Sequence, residues 1–256
     1  MLARLISVIK GDPHRDPWKR LQYEVLADIL QPLLQGADVV ADFGCGEGLL
    51  TTLLAERARS TRFIGIDSVA EAAWDRSPAV QFRVGDAASL PLGAGAADVV
   101  VAKDLLHHMD DPREGVRSLV ATARRRLVIL EANLDNPIMA LYTRHNGDAH
   151  FPRSVLESML RESAPEQVSW QFGAVTAYPF YLPPAGGAAA LWVWPVTAVM
   201  IVAFKLLRSR RLATALHRAM VRLPWQPPFT LAVAEVVPHG GGVQAPAPAG
   251  ATRAAV

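Results

Sequence analysis

Residues 39–48 read Val39-Val40-Ala41-Asp42-Phe43-Gly44-Cys45-Gly46-Glu47-Gly48, an apolar run with one carboxylate that ends in glycines at every second position. A short β-branched run that stops at glycine and gives way to the helical pattern of Leu49 to Arg59 is a strand, a tight turn and a helix. Glycine there lets the backbone approach a ligand closely and take positive φ. The fingerprint that meets a pyrophosphate spaces its glycines GxGxxG, whereas this loop spaces them GxGxG. Asp42 at the strand end suits a cationic group or an ordered water, and it disfavours an anionic ligand.

Working outward, short Val/Ile-rich runs alternate with helical segments. After VVADF come a helix near Leu49 to Arg59, RFIGID, a short helix after Ser68, VQFRV, DVVVAK, a helix near Asp111 to Ala123, and RLVILEA. Apolar strands alternating with helices specify an α/β fold, a doubly wound and mostly parallel sheet with helices on both faces. Such sheets bind ligands at the carboxyl ends of their strands. Upstream, Trp18, Leu21, Val25, Ile29, Leu33 and Leu34 recur at helical steps between Asp16 and Gln35. Downstream, Val168 to Leu182 and Phe229 to Val237 are two further strands, expected to close the sheet as an antiparallel pair and bring it to seven. We expect one domain over 1–237, with a helical apolar and basic insert at 185–225 between the last two strands. A disordered Gly/Pro/Ala-rich tail follows at 238–256.

Asp67 ends FIGID, where an acid can take both hydroxyls of a ribose. Asp86 follows VQFRV, so three acids at successive strand tips converge on one edge. The ligand they suit carries a ribose, a base with an amino group and a positive charge. The series DFGCGEG, GID, GDAASLPL, DVVVAKDLLHHMDDP and RLVILEAN resembles the successive motifs of class I S-adenosylmethionine-dependent methyltransferases, over roughly residues 16 to 135. The resemblance implies S-adenosylmethionine as cofactor. It assigns the methionine end to Asp42, Gly44, Gly46 and Gly48, the ribose to Asp67, and the adenine amino edge to Asp86 and Ala87. Lys103 and Asp104 would line the floor near the sulfonium, and His107 and His108 the entrance. The last two strands stand further apart than a simple hairpin of that family. EANLDNP and LYTRHNGDAHF resemble small-molecule members.

A bound sulfonium is already activated, so holding acceptor and methyl in line supplies much of the acceleration. A base is required only for a hydroxyl or acidic carbon acceptor. His107 and His108 are the candidate general bases, or else a pair that only shapes the pocket. Glu131, His145 and His150 are secondary candidates. Tyr23 either closes over the cofactor or is an ordinary face residue, and Trp18 is expected in the core. Cys45 is expected to be a small packing residue, not a nucleophile.

Composition sets the outer bounds. About half of the 256 residues are apolar, enough for a full core, and the single cysteine excludes an intramolecular disulfide. The N-terminal stretch lacks the run and cleavage site of a signal peptide, and we expect a cytoplasmic protein. A net charge of +2 is too small to argue for nucleic acid. Charge is uneven, however. Ala185 to Phe204 carries no charge, Pro195 interrupts it, and Lys205, Arg208, Arg210, Arg211, Arg218 and Arg222 follow. One crossing would strand the last strand on the wrong side of a membrane, so 185–222 is expected to lie at an anionic membrane surface, with Trp192 and Trp194 at the interface. The alternative is a core or dimer helix with a solvated arginine face. The expected activity is methyl transfer to a small, lipophilic acceptor. Its rivals are a nicotinamide-dependent oxidoreductase, a membrane-associated cofactor-binding or assembly subunit without turnover, and an RNA methyltransferase using the arginines.

Overall fold

The computed structural model describes residues 17–137, 139–140, 143, 150–166, 168–175 and 228–236. The expected insert 185–225, the tail 238–256 and His145 lie outside the described residues, as do the side chain of Trp18 and the end of the long strand expected over 168–182.

Seven strands form one sheet in the order β3-β2-β1-β4-β5-β7-β6. They are β1 (Val39–Phe43), β2 (Arg62–Asp67), β3 (Val80–Val84), β4 (Ala97–Lys103), β5 (Ala123–Ala132), β6 (Ser169–Val175) and β7 (Phe229–Glu235). The first five pair in parallel. β7 runs antiparallel between β5 and β6, the closing antiparallel pair expected from sequence. The order reverses between β1 and β4, the crevice where such sheets bind ligands.

The helices are α1 (Pro17–Leu30), α2 (Leu49–Arg57), α3 (Pro112–Thr122) and α4 (Arg153–Ser163). The helical pattern expected to Gln35 tightens into a 3-10 turn at Gln31–Leu34, where Pro32 cannot donate to an α-helical ladder. The short helix expected after Ser68 is a 3-10 turn at Trp74–Arg76. Asp111 accepts from the amides of Arg113 and Glu114 at 2.9 and 3.2 Å, and Pro112 occupies the first turn of α3, so that helix starts where its sequence says it must.

Every residue of β1 is buried, and strict alternation sends its side chains to two cores. Val40, Val99, Val101, Val128 and Leu130 face the layer of α1 and α2, packing with Leu26, Leu30, Leu53 and Leu54. Ala41, Phe43, Val100, Leu127 and Ile129 face α3 and α4, packing with Val116, Leu119, Leu156 and Leu160. Burying each such side chain contributes about 1.5–3 kcal/mol. At the amino edge, Asp98 Oδ2 accepts from the amides of Asp38 and Val39, both at 2.9 Å, which fixes β4 against the start of β1.

One register relation fixes where β6 ends and β7 begins. Phe229 pairs with both Ala132 and Val175. The chain therefore leaves β6 and re-enters at β7 on the edge where the parallel strands end.

Candidate functional site

The glycine loop follows β1 at the crevice, and all three glycines have positive φ, +71° at Gly44, +52° at Gly46 and +76° at Gly48. The three have different reasons. A Cβ on Gly48 would lie 2.4 Å from Cζ of Phe82, so this residue is small because the Phe82 ring packs on the backbone. A Cβ on Gly44 would lie 3.0 Å from Cδ1 of Leu105. A Cβ on Gly46 would meet nothing within 4 Å, and its open space faces the crevice.

β2 pins this loop. The amides of Gly44 and Cys45 donate to the Ile66 carbonyl at 2.8 and 3.1 Å, and the amide of Gly46 donates to Asp67 Oδ2 at 2.8 Å. Trp74 Nε1 donates to the Gly46 carbonyl at 2.8 Å while its ring stacks on Phe82 at 5.1 Å. Phe82 thus supports both the loop and the tryptophan that holds it.

Two cavities meet at Gly44, Gly46 and Asp104. The smaller, about 250 Å³, is lined by Tyr23, Asp42, Lys103 and Asp104. The larger, about 640 Å³, is lined by Asp67, Asp86, Ala87, Leu105 and His108, among others. Their combined size is that of a small-molecule site. Asp42, Gly44, Gly46, Asp67, Asp86, Ala87, Lys103 and His108 are thus brought to one crevice, as the sequence suggested. Gly48 and His107 line neither cavity.

Asp42 is 2% exposed and accepts from Thr51 Oγ1 at 2.5 Å. Burial raises its carboxyl from 3.8 to about 6, against the Thr51 hydrogen bond and the charge of Lys103. Lys103 pairs with Asp104 and lies 5.4 Å from the centroid of the Tyr23 ring. Asp104 itself has φ +49°, a strained conformation at the mouth of both cavities. Asp86 accepts from the amide of Ala88 at 2.9 Å, which sets the 3-10 turn at Ala87–Ser89 on the crevice wall. Cys45 is half-buried, and burial pushes its thiol up, away from a reactive thiolate, as expected of a packing residue.

The two adjacent histidines separate. His108 is exposed and reaches the larger cavity, whereas the His107 side chain is 3% exposed and faces the interior. His107 Nδ1 lies 2.7 Å from Oε2 of Glu131, which is fully buried at the end of β5. Glu131 Oε1 accepts from the amides of Leu105 and Leu106 at 2.9 and 2.7 Å. The His107 ring lies between those of His108 and His150, with centroids 4.0 and 3.7 Å away. The sequence marks His107, Glu131 and His150 as candidates without showing that they meet.

The donor set suits an adenosyl group bearing positive charge. Acids border both cavities, the space beside the Gly46 Cα is open, and among the described lining residues no run of basic side chains faces the loop to receive a pyrophosphate.

Residues 41–126 match the family model described as a methyltransferase domain. An uncharacterised methyltransferase of Mycobacterium tuberculosis is 32% identical over 108 residues, covering 40% of this chain and 53% of its own length. The chain spans about half the length of the curated relatives it matches, 53% and 56% in two of them. Among solved structures, an S-adenosylmethionine-dependent methyltransferase of Thermotoga maritima has the same fold. It superposes with a TM-score of 0.56 at 14% identity, covering 88% of this chain and 96% of that one. A plantazolicin methyltransferase, solved with S-adenosylhomocysteine and a triazolic desmethylPZN analog, gives a TM-score of 0.56 at 14% identity, covering 91% of this chain and 90% of that one.

Proposed function

We propose that the chain is a class I S-adenosylmethionine-dependent methyltransferase, a reading supported by the methyltransferase-domain match over residues 41–126 and the shared fold, and that it transfers a methyl group to a small, lipophilic acceptor. The observation that carries this reading is the glycine loop whose one open position, Gly46, faces two cavities bordered by acids. Asp42, Lys103 and Tyr23 would hold the methionyl end, Asp67 the ribose hydroxyls, and Asp86 with Ala87 the adenine edge. When bound, the cofactor supplies an electrophilic methyl on sulfur. The chain's own part is to hold the acceptor in line with it and exclude water. Of the two histidines, His108 is the better placed to take a proton from a hydroxyl acceptor, because it lines the larger cavity.

Lipophilicity is inferred from the sequence of 185–222, which lies in the chain between β6 and β7. We place that segment against an anionic membrane surface, with the protein peripheral on the cytoplasmic side. No helix among the described residues is long and apolar enough to cross a membrane.

Calorimetric titration with S-adenosylhomocysteine, beside NADH, tests the cofactor reading. Binding of the first alone is expected, and its absence in folded protein overturns the reading. Co-sedimentation with vesicles containing phosphatidylserine tests the surface, with binding expected and indifference to anionic lipid refuting it. Turnover against an acceptor library distinguishes the enzyme from a binding or assembly subunit. An RNA methyltransferase would instead show tight, salt-sensitive RNA binding.

A further inference from the structure

Glu131 sits at the tip of β5 with no exposed surface, and the observed partners of its side chain belong to the turn after β4. An ionised carboxylate only accepts, so the hydrogen between Glu131 and His107 resides on Nδ1. In the neutral ring His107 Nε2 is then the lone-pair nitrogen, the less common arrangement for a histidine in water. The same turn carries His108 into the larger cavity.

The cluster of His107, Glu131 and His150 also places three potential metal-ligand atoms within 4.8 Å of one another. The existing contacts favour positioning over chelation. The Glu131 oxygens are already committed, one to the Leu105 and Leu106 amides and the other to His107, and the His107 and His150 ring centroids lie 3.7 Å apart at 34°. Nδ1 of His107 is already directed at the carboxylate. The arrangement holds a ring in place.

We propose that Glu131 is a positioning residue of the acceptor wall: it fixes His107 as the Nδ1–H tautomer and ties it to the 105–107 turn, so that His108 is presented to the cavity in one orientation. The proposal rests on the methyltransferase reading for the meaning of that wall, but its geometry stands or falls independently. Glu131→Gln gives a defined contrast. To keep accepting from the Leu105 and Leu106 amides, the glutamine must turn its oxygen toward them, which leaves its NH2 facing Nδ1 of His107. Nδ1 must then be an acceptor, and the proton moves to Nε2.

The test is long-range 15N–1H correlation of the imidazole nitrogens in the full chain at neutral pH, with His107→Asn used to identify the His107 signals. Wild type is expected to show protonated Nδ1 on His107, and Glu131→Gln protonated Nε2, with the His108 signals displaced. Titration with S-adenosylhomocysteine accompanies each sample, with affinity expected to change less than about threefold. A wild-type Nε2–H tautomer, or an unchanged tautomer in folded Glu131→Gln, overturns the proposal. Zinc is added to wild type as a separate arm. Stoichiometric zinc binding lost in both His107→Asn and His150→Ala would replace positioning with chelation, while silence supports positioning. Absence of S-adenosylhomocysteine binding with the expected tautomers would fail the cofactor reading and leave the positioning intact.

Discussion

The Gly46 amide donates to Asp67 Oδ2 at 2.8 Å, so the acid expected to hold the ribose also shapes the loop beneath the cofactor. Asp67→Ala therefore removes two contacts at once. It is expected to weaken S-adenosylhomocysteine binding by about 1–3 kcal/mol, read by calorimetry. Asp67→Asn retains an oxygen for the Gly46 amide and should recover part of that loss. Unchanged affinity in the alanine variant would remove Asp67 from the site.

Gly46→Ala and Gly48→Ala should fail differently. Both acquire a side chain at positive φ, but only at Gly48 does the new Cβ collide, 2.4 Å from Phe82. Gly48→Ala is expected to lower stability by about 2–4 kcal/mol, combining backbone strain and overpacking, in a denaturant melt. Phe82→Leu in that background should restore part of it. Gly46→Ala is expected to lose only about 1 kcal/mol of stability while abolishing detectable cofactor binding.

Asp42 makes stability depend on pH in the direction opposite to that of a salt-bridged acid. Burial raises its folded value to about 6 from 3.8, so the folded chain binds a proton that the unfolded chain releases. Its contribution is fullest below about pH 4, falls as pH rises to about 6, and is level beyond, a change on the order of 3 kcal/mol. Asp42→Asn should lack this component. Subtracting the two unfolding free energies across pH 4 to 7 isolates it, and a flat difference would refute the assignment.

His108→Ala is expected to leave S-adenosylhomocysteine affinity within about threefold of wild type. Turnover on a hydroxyl acceptor should fall about 100-fold or more, the ordinary contribution of a general base. Full activity in that variant would place proton removal elsewhere, or make it unnecessary.

Much of the sheet was legible because buried parallel strands are written as mainly apolar runs, as VVADF and DVVVAK are. The three acids could be placed because each lies at or just beyond the end of such a run, where topology dictates the location. The roles of Gly48 and Glu131 were not legible. Gly48 is small on account of Phe82, a residue of another strand, and no local pattern marks that meeting. Glu131 acquires its function from a turn 24 residues away in sequence, brought alongside by the parallel pairing of β4 and β5. His107 and His108 are neighbours of the same type, and the 3-10 turn at Leu106–His108 decides which one turns inward. Sequence could name the pair but not divide its labour.

The pairing of Val175 and Phe229 makes the stretch between them a closed loop in the polymer sense. Once a sheet has paid the entropy of bringing two ends together, lengthening the loop costs only logarithmically, about 0.6 kcal/mol per doubling. The position is thus one where insertion is thermodynamically cheap. A replacement of 176–228 by a tight two-residue turn would keep the Val175–Phe229 pairing, so the sheet and the stretch between β6 and β7 can diverge as separate parts.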